Sequence, residues 1–170
     1  MAPLVRRTWA PTGKTPWLFQ RTRVHEKVSV VAALCLSPLW PSVRLYFRLH
    51  PDSNICTGLV IAFLKNLLLH LRGNVVLIWD LLPVHRAKKV QYFIRESGRI
   101  RAFFLPPYAP ELNPVEYVWG YLKNNSLANA ALPDTKSLRK VAQRRGQSLQ
   151  RKQKLLMSFF RHSPLFSYSK

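Results

Sequence analysis

The sequence predicts an α/β domain built as a mixed sheet flanked by helices. An apolar run with several valines and an alternating run near the start have strand character and are spaced for a hairpin. Beyond residue 56, helical and strand patterns alternate, which favours parallel strands joined through crossover helices. The patterns are bounded by Gly, Pro or other turn-forming residues. A chain of 170 residues, 48% of them apolar, is the size of one domain and can bury a core.

Residues 1–26 read as an irregular segment, with Pro3, Pro11, Pro16 and Gly13 set among Trp9, Trp17 and scattered basic residues. KVSVVAALCLS (27–37) is nearly continuous in apolar residues and reads as a buried strand. SVRLYFRLH (42–50) alternates, with Val43, Leu45, Phe47 and Leu49 on one face and Arg44, Tyr46 and Arg48 on the other. The turn LWPS between them makes an antiparallel hairpin, and HPDSN closes the second strand. Residues 57–72 form a helix whose stripe is Val60, Phe63, Leu64, Leu67, Leu68 and Leu71, with Gly73 as its stop.

NVVLIWD (74–80) is a short buried strand that ends in an acid. HRAKKVQYFIRES (85–97) is helical, with Ala87, Val90, Phe93 and Ile94 inward and Gly98 as its stop. IRAFFLPP (100–107) is a strand halted by two prolines, and a helix then starts at Pro114. From residue 134 a basic helix capped by Asp134 or Thr135 carries Lys136, Arg139, Lys140, Arg144 and Arg145. Gly146, Arg151, Lys152, Lys154 and the apolar LLMSFF follow it. The expected division is an irregular segment at 1–26, an α/β domain at 27–128 and a basic helical tail at 129–170.

Lys and Arg number 27 against 7 Asp and Glu, a net charge of +20. That excess predicts a polyanionic partner, although a ribosomal-type basic protein has the same totals. Cys35 and Cys56 have no metal-ligand spacing and read as buried free thiols of a reducing compartment. No stretch reads as a membrane span, because Lys65, Asn66, His70 and Arg72 break the most apolar one. The start lacks a signal-peptide core, so the cytoplasm is the expected location, at the nucleoid if the host is bacterial.

With acids so scarce, their positions are informative. Asp80 ends a strand, and ligands of open α/β sheets gather beyond the carboxyl ends of strands. Its ordinary roles would be to begin a turn or to pair with Arg86. Glu116 falls at the third position of a helix with Asn113 as N-cap and Pro114 as first residue, where a capping box alone would explain it. Yet it stands beside the buried stripe of Val115, Val118, Trp119 and Leu122, and Gly120 leaves the surface next to it open. A helix and a strand separate the two acids in sequence. A right-handed crossover would return that strand beside the first and bring Asp80 and Glu116 to one edge. Two converging carboxylates suit Mg²⁺, which takes oxygen ligands and keeps waters for substrate phosphates.

WDLLPVHRAKKV followed by FFLPPYAPELNPVEYVWGYLK resembles the last two acidic motifs of the DDE transposases of the mariner-related insertion-sequence family. RRTWAPTGKTP near the start is similar to that family too. The resemblance implies a ribonuclease-H-like fold, DNA strand cleavage and transfer, and a Mg²⁺ or Mn²⁺ cofactor. It implies Asp80 and Glu116 as the second and third metal-binding acids, His85 and Asn113 as auxiliary residues, and Glu111 as a loop residue. Its implied partner is DNA, both transposon ends and target. A homo-oligomer, or pairing with the product of an upstream frame, is expected.

Arg86, Lys88, Lys89, Lys123, Arg139, Lys140, Arg144 and Arg145 are the expected DNA contacts, although a solvated basic face would look alike. Leu81 stands where the family commonly has Asn. The family's first acid lies on a strand upstream of the segment matched by RRTWAPTGKTP, so the chain is expected to lack that strand and to be impaired. Neither Glu26 nor Asp52 is a good substitute. A non-catalytic DNA-binding or regulatory remnant of a transposable element is the alternative, and a nuclease of the same fold a further one. His25, His50, His70 and His162 read as structural, and Trp119, Phe103, Phe104 and Tyr108 as core or loop packing.

Overall fold

The structure, a computed structural model, describes residues 10–14, 28–39, 42–126 and 134–166. Most of the segment 1–26, with Trp9, Trp17 and His25, lies outside the described residues, as do Glu26, Trp40 and Pro41. Strands β1 (Val28–Leu36) and β2 (Val43–Pro51) pair antiparallel, with Ala32 opposite Phe47 and Leu34 opposite Leu45. The alternation in β2 reads as expected: Val43 and Leu45 are buried, while Arg44 and Arg48 face solvent. Asp52 takes a positive φ of 50° in the turn that follows.

Helix α1 (Thr57–His70) buries Val60, Phe63, Leu64 and Leu67. Strand β3 (Val75–Trp79) and strand β4 (Ile100–Phe104) pair in parallel, Ile78 opposite Phe103. The crossover between them was expected as one helix, and it is two: α2 (Pro83–Arg86) and α3 (Lys88–Glu96). Ala87 has an extended ψ of 134°, and its carbonyl accepts from the Val90 and Gln91 N–H groups to start the second helix. The break frees the His85 carbonyl, which accepts from the Gln91 side chain at 2.7 Å. Arg99 then clamps the end of α1. Its guanidinium donates to the carbonyls of Leu68 in the last turn, Leu71 at the C-cap and Gly73 just beyond, acceptors that the helix itself leaves over or that follow it.

Helix α4 (Pro114–Tyr121) runs into a π-helical turn, Leu122–Ser126, and helices α5 (Thr135–Gln150) and α6 (Gln153–His162) complete the chain. Asp134 caps α5 by accepting from the Ser137 N–H at 2.6 Å. Gly146 does not end α5. It lies inside the helix against the ring of Phe47, where a Cβ would sit 2.4 Å from Cζ. The basic C-terminal segment is more than a tail, since Leu149 and Leu156 are buried in one cluster with Val43, Leu45, Val118, Leu122, Phe159 and Phe160. A second cluster joins Val60, Leu64, Trp79, Val90 and Ile94.

Among the described residues the strands form two two-stranded sheets, β1–β2 and β3–β4. The expected burial of the 74–80 strand therefore holds on one face only. Val76 is 66% exposed and Ile78 37%, because no described element covers that side of β3. Phe103, Phe104 and Tyr108, expected to be packed, are exposed, while Trp119 packs against the first cluster as expected. Both cysteines are free, but only Cys35 is sheltered, and burial pushes its thiol up to about 11. Cys56, expected buried, is exposed at the entrance to α1. Among the described residues no helix is long and apolar enough to cross a membrane.

Candidate active site: two carboxylates beyond the parallel strands

Asp80 leaves β3 directly after Trp79, whose carbonyl accepts from the Leu105 N–H at 2.8 Å and so ties the ends of both parallel strands together. The Asp80 carboxylate makes a local turn: Oδ1 accepts from the Leu82 N–H at 3.2 Å and from His85 Nδ1 at 2.7 Å. The turn role anticipated for Asp80 is real, but its side-chain partner is His85 instead of Arg86. The His85 ring lies flat on Trp79, with centroids 4.3 Å apart and planes 7° from parallel. Stacking and the hydrogen bond together fix the ring of His85 against one oxygen of Asp80.

Glu116 arrives on α4. Asn113 is the N-cap as expected, its Oδ1 accepting from the Val115 N–H at 3.2 Å. The capping box does not close, because the Asn113 N–H is already spent on the Pro110 carbonyl and no described hydrogen bond holds the Glu116 side chain. Burial pushes the Glu116 carboxyl above its usual range, Lys123 draws it down, and the negative charge of Asp80 pushes it up again. The two acids are thus within electrostatic reach of each other. Glu111 sits in the 3₁₀ turn Pro110–Leu112, where its carbonyl accepts from the Tyr117 hydroxyl at 3.0 Å.

One support of this site carries no local signal in the sequence, and a second was legible there. Ser163, fully buried beyond α6, donates to the Leu112 carbonyl at 2.8 Å and pins the loop before Glu116 from a distance of 51 residues. Gly120 opens a cavity beside Glu116, since a Cβ there would meet nothing within 4 Å. Among the described residues no group of three or more His, Cys, Asp and Glu comes together, so Asp80 and Glu116 stand as a pair.

Of the basic residues, Arg86, Lys88 and Lys89 are exposed in the segment just after Asp80, and Lys123 is half-buried in the π turn near Glu116. Arg139, Lys140, Arg144 and Arg145 are exposed on α5. None of the eight pairs with a carboxylate within the described residues, which leaves them available to an outside anion.

An antiparallel hairpin, a parallel pair with its crossover, and acids beyond the strand ends define a ribonuclease-H-like α/β domain. The chain belongs to the DDE superfamily endonuclease family, whose pattern matches residues 2–139. It is similar to the uncharacterized protein y4pE/y4sA of Sinorhizobium fredii, 39% identical over 62 residues, which cover 36% of this chain and 43% of that protein. Its fold is similar to that of the Mos1 mariner paired end complex with Mn, with TM-score 0.67 at 16% identity, covering 98% of this chain and 49% of the other. The catalytic domain of Mos1 mariner transposase matches with TM-score 0.56 at 15% identity, over 84% of this chain and 79% of that one. The chain spans about half the length of the first of these matches.

Proposed function

We propose that the chain is the catalytic part of a DNA transposase in which Asp80 and Glu116 together hold Mg²⁺ or Mn²⁺ for the cleavage and transfer of DNA strands. The observation that carries this reading is that Asp80, just after β3, and Glu116, on α4, lie close enough for the Asp80 charge to act on the Glu116 carboxyl, which burial above all pushes up. Lys123 offsets part of that rise, and among the described residues no hydrogen bond holds the Glu116 side chain. Such a pair is relieved by a cation.

The donor set fits a hard divalent ion. It is made of carboxylate oxygens, and the bonds to Asp80 fall on Oδ1 alone, leaving Oδ2. When bound, the ion supplies Lewis-acid polarisation of a phosphodiester and a nucleophile of lowered pKa. The chain's own residues do the rest. His85 and Leu82 orient Asp80, Asn113 and Pro114 start the helix that presents Glu116, and Arg86, Lys88, Lys89 and Lys123 hold phosphates near the pair. Arg139, Lys140, Arg144 and Arg145 extend the cationic track along the DNA, with affinity falling steeply as salt rises. Structures of Mos1 with Mn, with Mg and with a left transposon end support carrying the same partners to this chain.

Two carboxylates grip a divalent ion less well than three. A third acid is proposed to complete the site, supplied by the product of an upstream frame. Among the described residues the exposed Val76 and Ile78 of β3 offer an uncovered apolar face that supports such a partner. The purified chain is then expected to bind DNA but to nick supercoiled plasmid only weakly with Mg²⁺ or Mn²⁺, and to gain activity when the upstream product is added. Strong nicking by the chain alone, abolished by Asp80→Ala, would overturn the need for a third acid.

A second reading, a non-catalytic DNA-binding remnant that regulates an intact copy, is favoured by the net charge of +20 together with the pair-only acid site. Absence of any metal-induced rise in thermal stability, with DNA binding intact, would select it.

A further inference from the structure

We propose that the cavity beside Glu116 receives the base of one unpaired DNA nucleotide. This rests on the reading that DNA lies along the Asp80–Glu116 edge. The cavity has a volume of about 400 Å³, within the roughly 300–1,000 Å³ span of ligand sites. It lies between α4, the π turn and α6, and Glu116 is one of its lining residues.

The lining has the chemistry of a base site. Tyr121 and Phe159 give aromatic walls, their ring centroids 6.1 Å apart, and His162 meets the Tyr117 ring edge-on at 5.1 Å. Asn125 donates through Nδ2 to the Tyr121 carbonyl at 3.2 Å and keeps its Oδ1 to accept from a base edge, and Asn124 lines the cavity beside it. The π-helical turn that carries them is a local widening of the helix of the kind that recurs at binding sites. Lys152 lies near the Tyr121 wall, with Nζ 3.3 Å from the hydroxyl and 5.8 Å from the ring centroid. Lys123 is close enough to Glu116 to lower its carboxyl. A flat group with hydrogen-bonding edges and an attached phosphate matches aromatic walls, amides and lysines in one place.

Gly120 is the structural key. Its missing side chain leaves the cavity open, and a larger residue there meets no protein atom close to its Cβ. Filling the space therefore need not disturb the fold, and exchanging Gly for another residue favours a helix.

The test compares a blunt duplex with the same duplex carrying one unpaired 2-aminopurine nucleotide at its 3′ end, with the full chain and no divalent metal. Wild type is expected to bind the second roughly five- to a hundredfold more tightly, the worth of one base stacked on an aromatic side chain, and to quench its fluorescence. Gly120→Leu and Tyr121→Leu are each expected to reduce that preference to within about twofold. Circular dichroism serves as the folding control for both variants. Equal binding of the two duplexes by wild type, with no quenching, overturns the proposal and leaves DNA binding itself standing. Failure to bind either duplex overturns the parent reading and the inference with it. Quenching by free 2-aminopurine deoxyribonucleotide as strong as by the duplex assigns the cavity to a mononucleotide and overturns the DNA assignment. A full preference retained by folded Gly120→Leu and Tyr121→Leu places the base elsewhere.

Discussion

The same substitution at two helical glycines is expected to move stability in opposite directions. Replacing Gly by Ala inside a helix gains up to about 1 kcal/mol through backbone entropy and solvation. At position 120 nothing opposes that gain, because a new Cβ meets no atom within 4 Å. At position 146 the Cβ would lie 2.4 Å from Phe47 Cζ, 2.8 Å from Cε1 and 2.9 Å from Cε2. Ordinary contact begins near 3.4 Å, so the ring and the helix must separate by about 1 Å. The space around that ring is only about 10 Å³ and cannot absorb the shift.

Overpacking of this kind costs about 1–3 kcal/mol, so Gly146→Ala should come out destabilising by up to about 2 kcal/mol after the helical gain is subtracted. At this chain length 1 kcal/mol moves Tm by about 2–4 °C. Thermal unfolding followed by circular dichroism should therefore raise Tm for Gly120→Ala and lower it for Gly146→Ala by up to ~8 °C. Phe47→Leu should restore most of the loss in the double variant, with coupling of about 1 kcal/mol or more in the cycle. If Gly146→Ala stabilises as much as Gly120→Ala, the close approach of α5 to β2 is wrong.

The Glu116 carboxyl is held above its ordinary value of 4.5, so the folded state keeps that proton after the unfolded chain has lost it. Stability is unpenalised below pH 4.5 and falls as pH rises through the folded value, and Glu116→Gln should remove that fall. Urea midpoints for the two proteins should converge in acid and separate toward neutrality; a constant offset would contradict the electrostatic account. His85→Ala removes both the 2.7 Å bond to Asp80 and the stack on Trp79, and should weaken the Mn²⁺-induced thermal shift about 10–100-fold in metal concentration. His85→Asn, which keeps a donor, should recover part of it. Cys56 should react with a thiol reagent at neutral pH well before Cys35, whose thiol is pushed up to about 11; mass spectrometry of partly labelled protein would expose the reverse order.

Most of the elements were legible because their signals are local. Alternation marked β2, the Val60–Leu67 stripe marked α1, and Asn113-Pro114 marked the start of α4. The two acids were legible as well, since an Asp closing an apolar strand and a Glu on an open helix face are exceptions in so basic a chain. The break at Ala87, the clamp by Arg99 and the anchor from Ser163 were not legible. Each depends on which carbonyl is left unsatisfied once distant segments are in place.

The exposure of Cys56, Phe103 and Tyr108 shows the same limit from the other side. A side chain's hydropathy states its preference for burial, and only the packing of other elements decides whether a cover exists. The sequence by itself determined the family and most of the order of strands and helices. Tertiary structure alone decided that Asp80 is held by His85, that no described hydrogen bond holds the Glu116 side chain, and that α5 and α6 join the core. Local periodicity fixes the conformation of each segment, but electrostatic and packing energies depend on distances that exist only after the chain has folded.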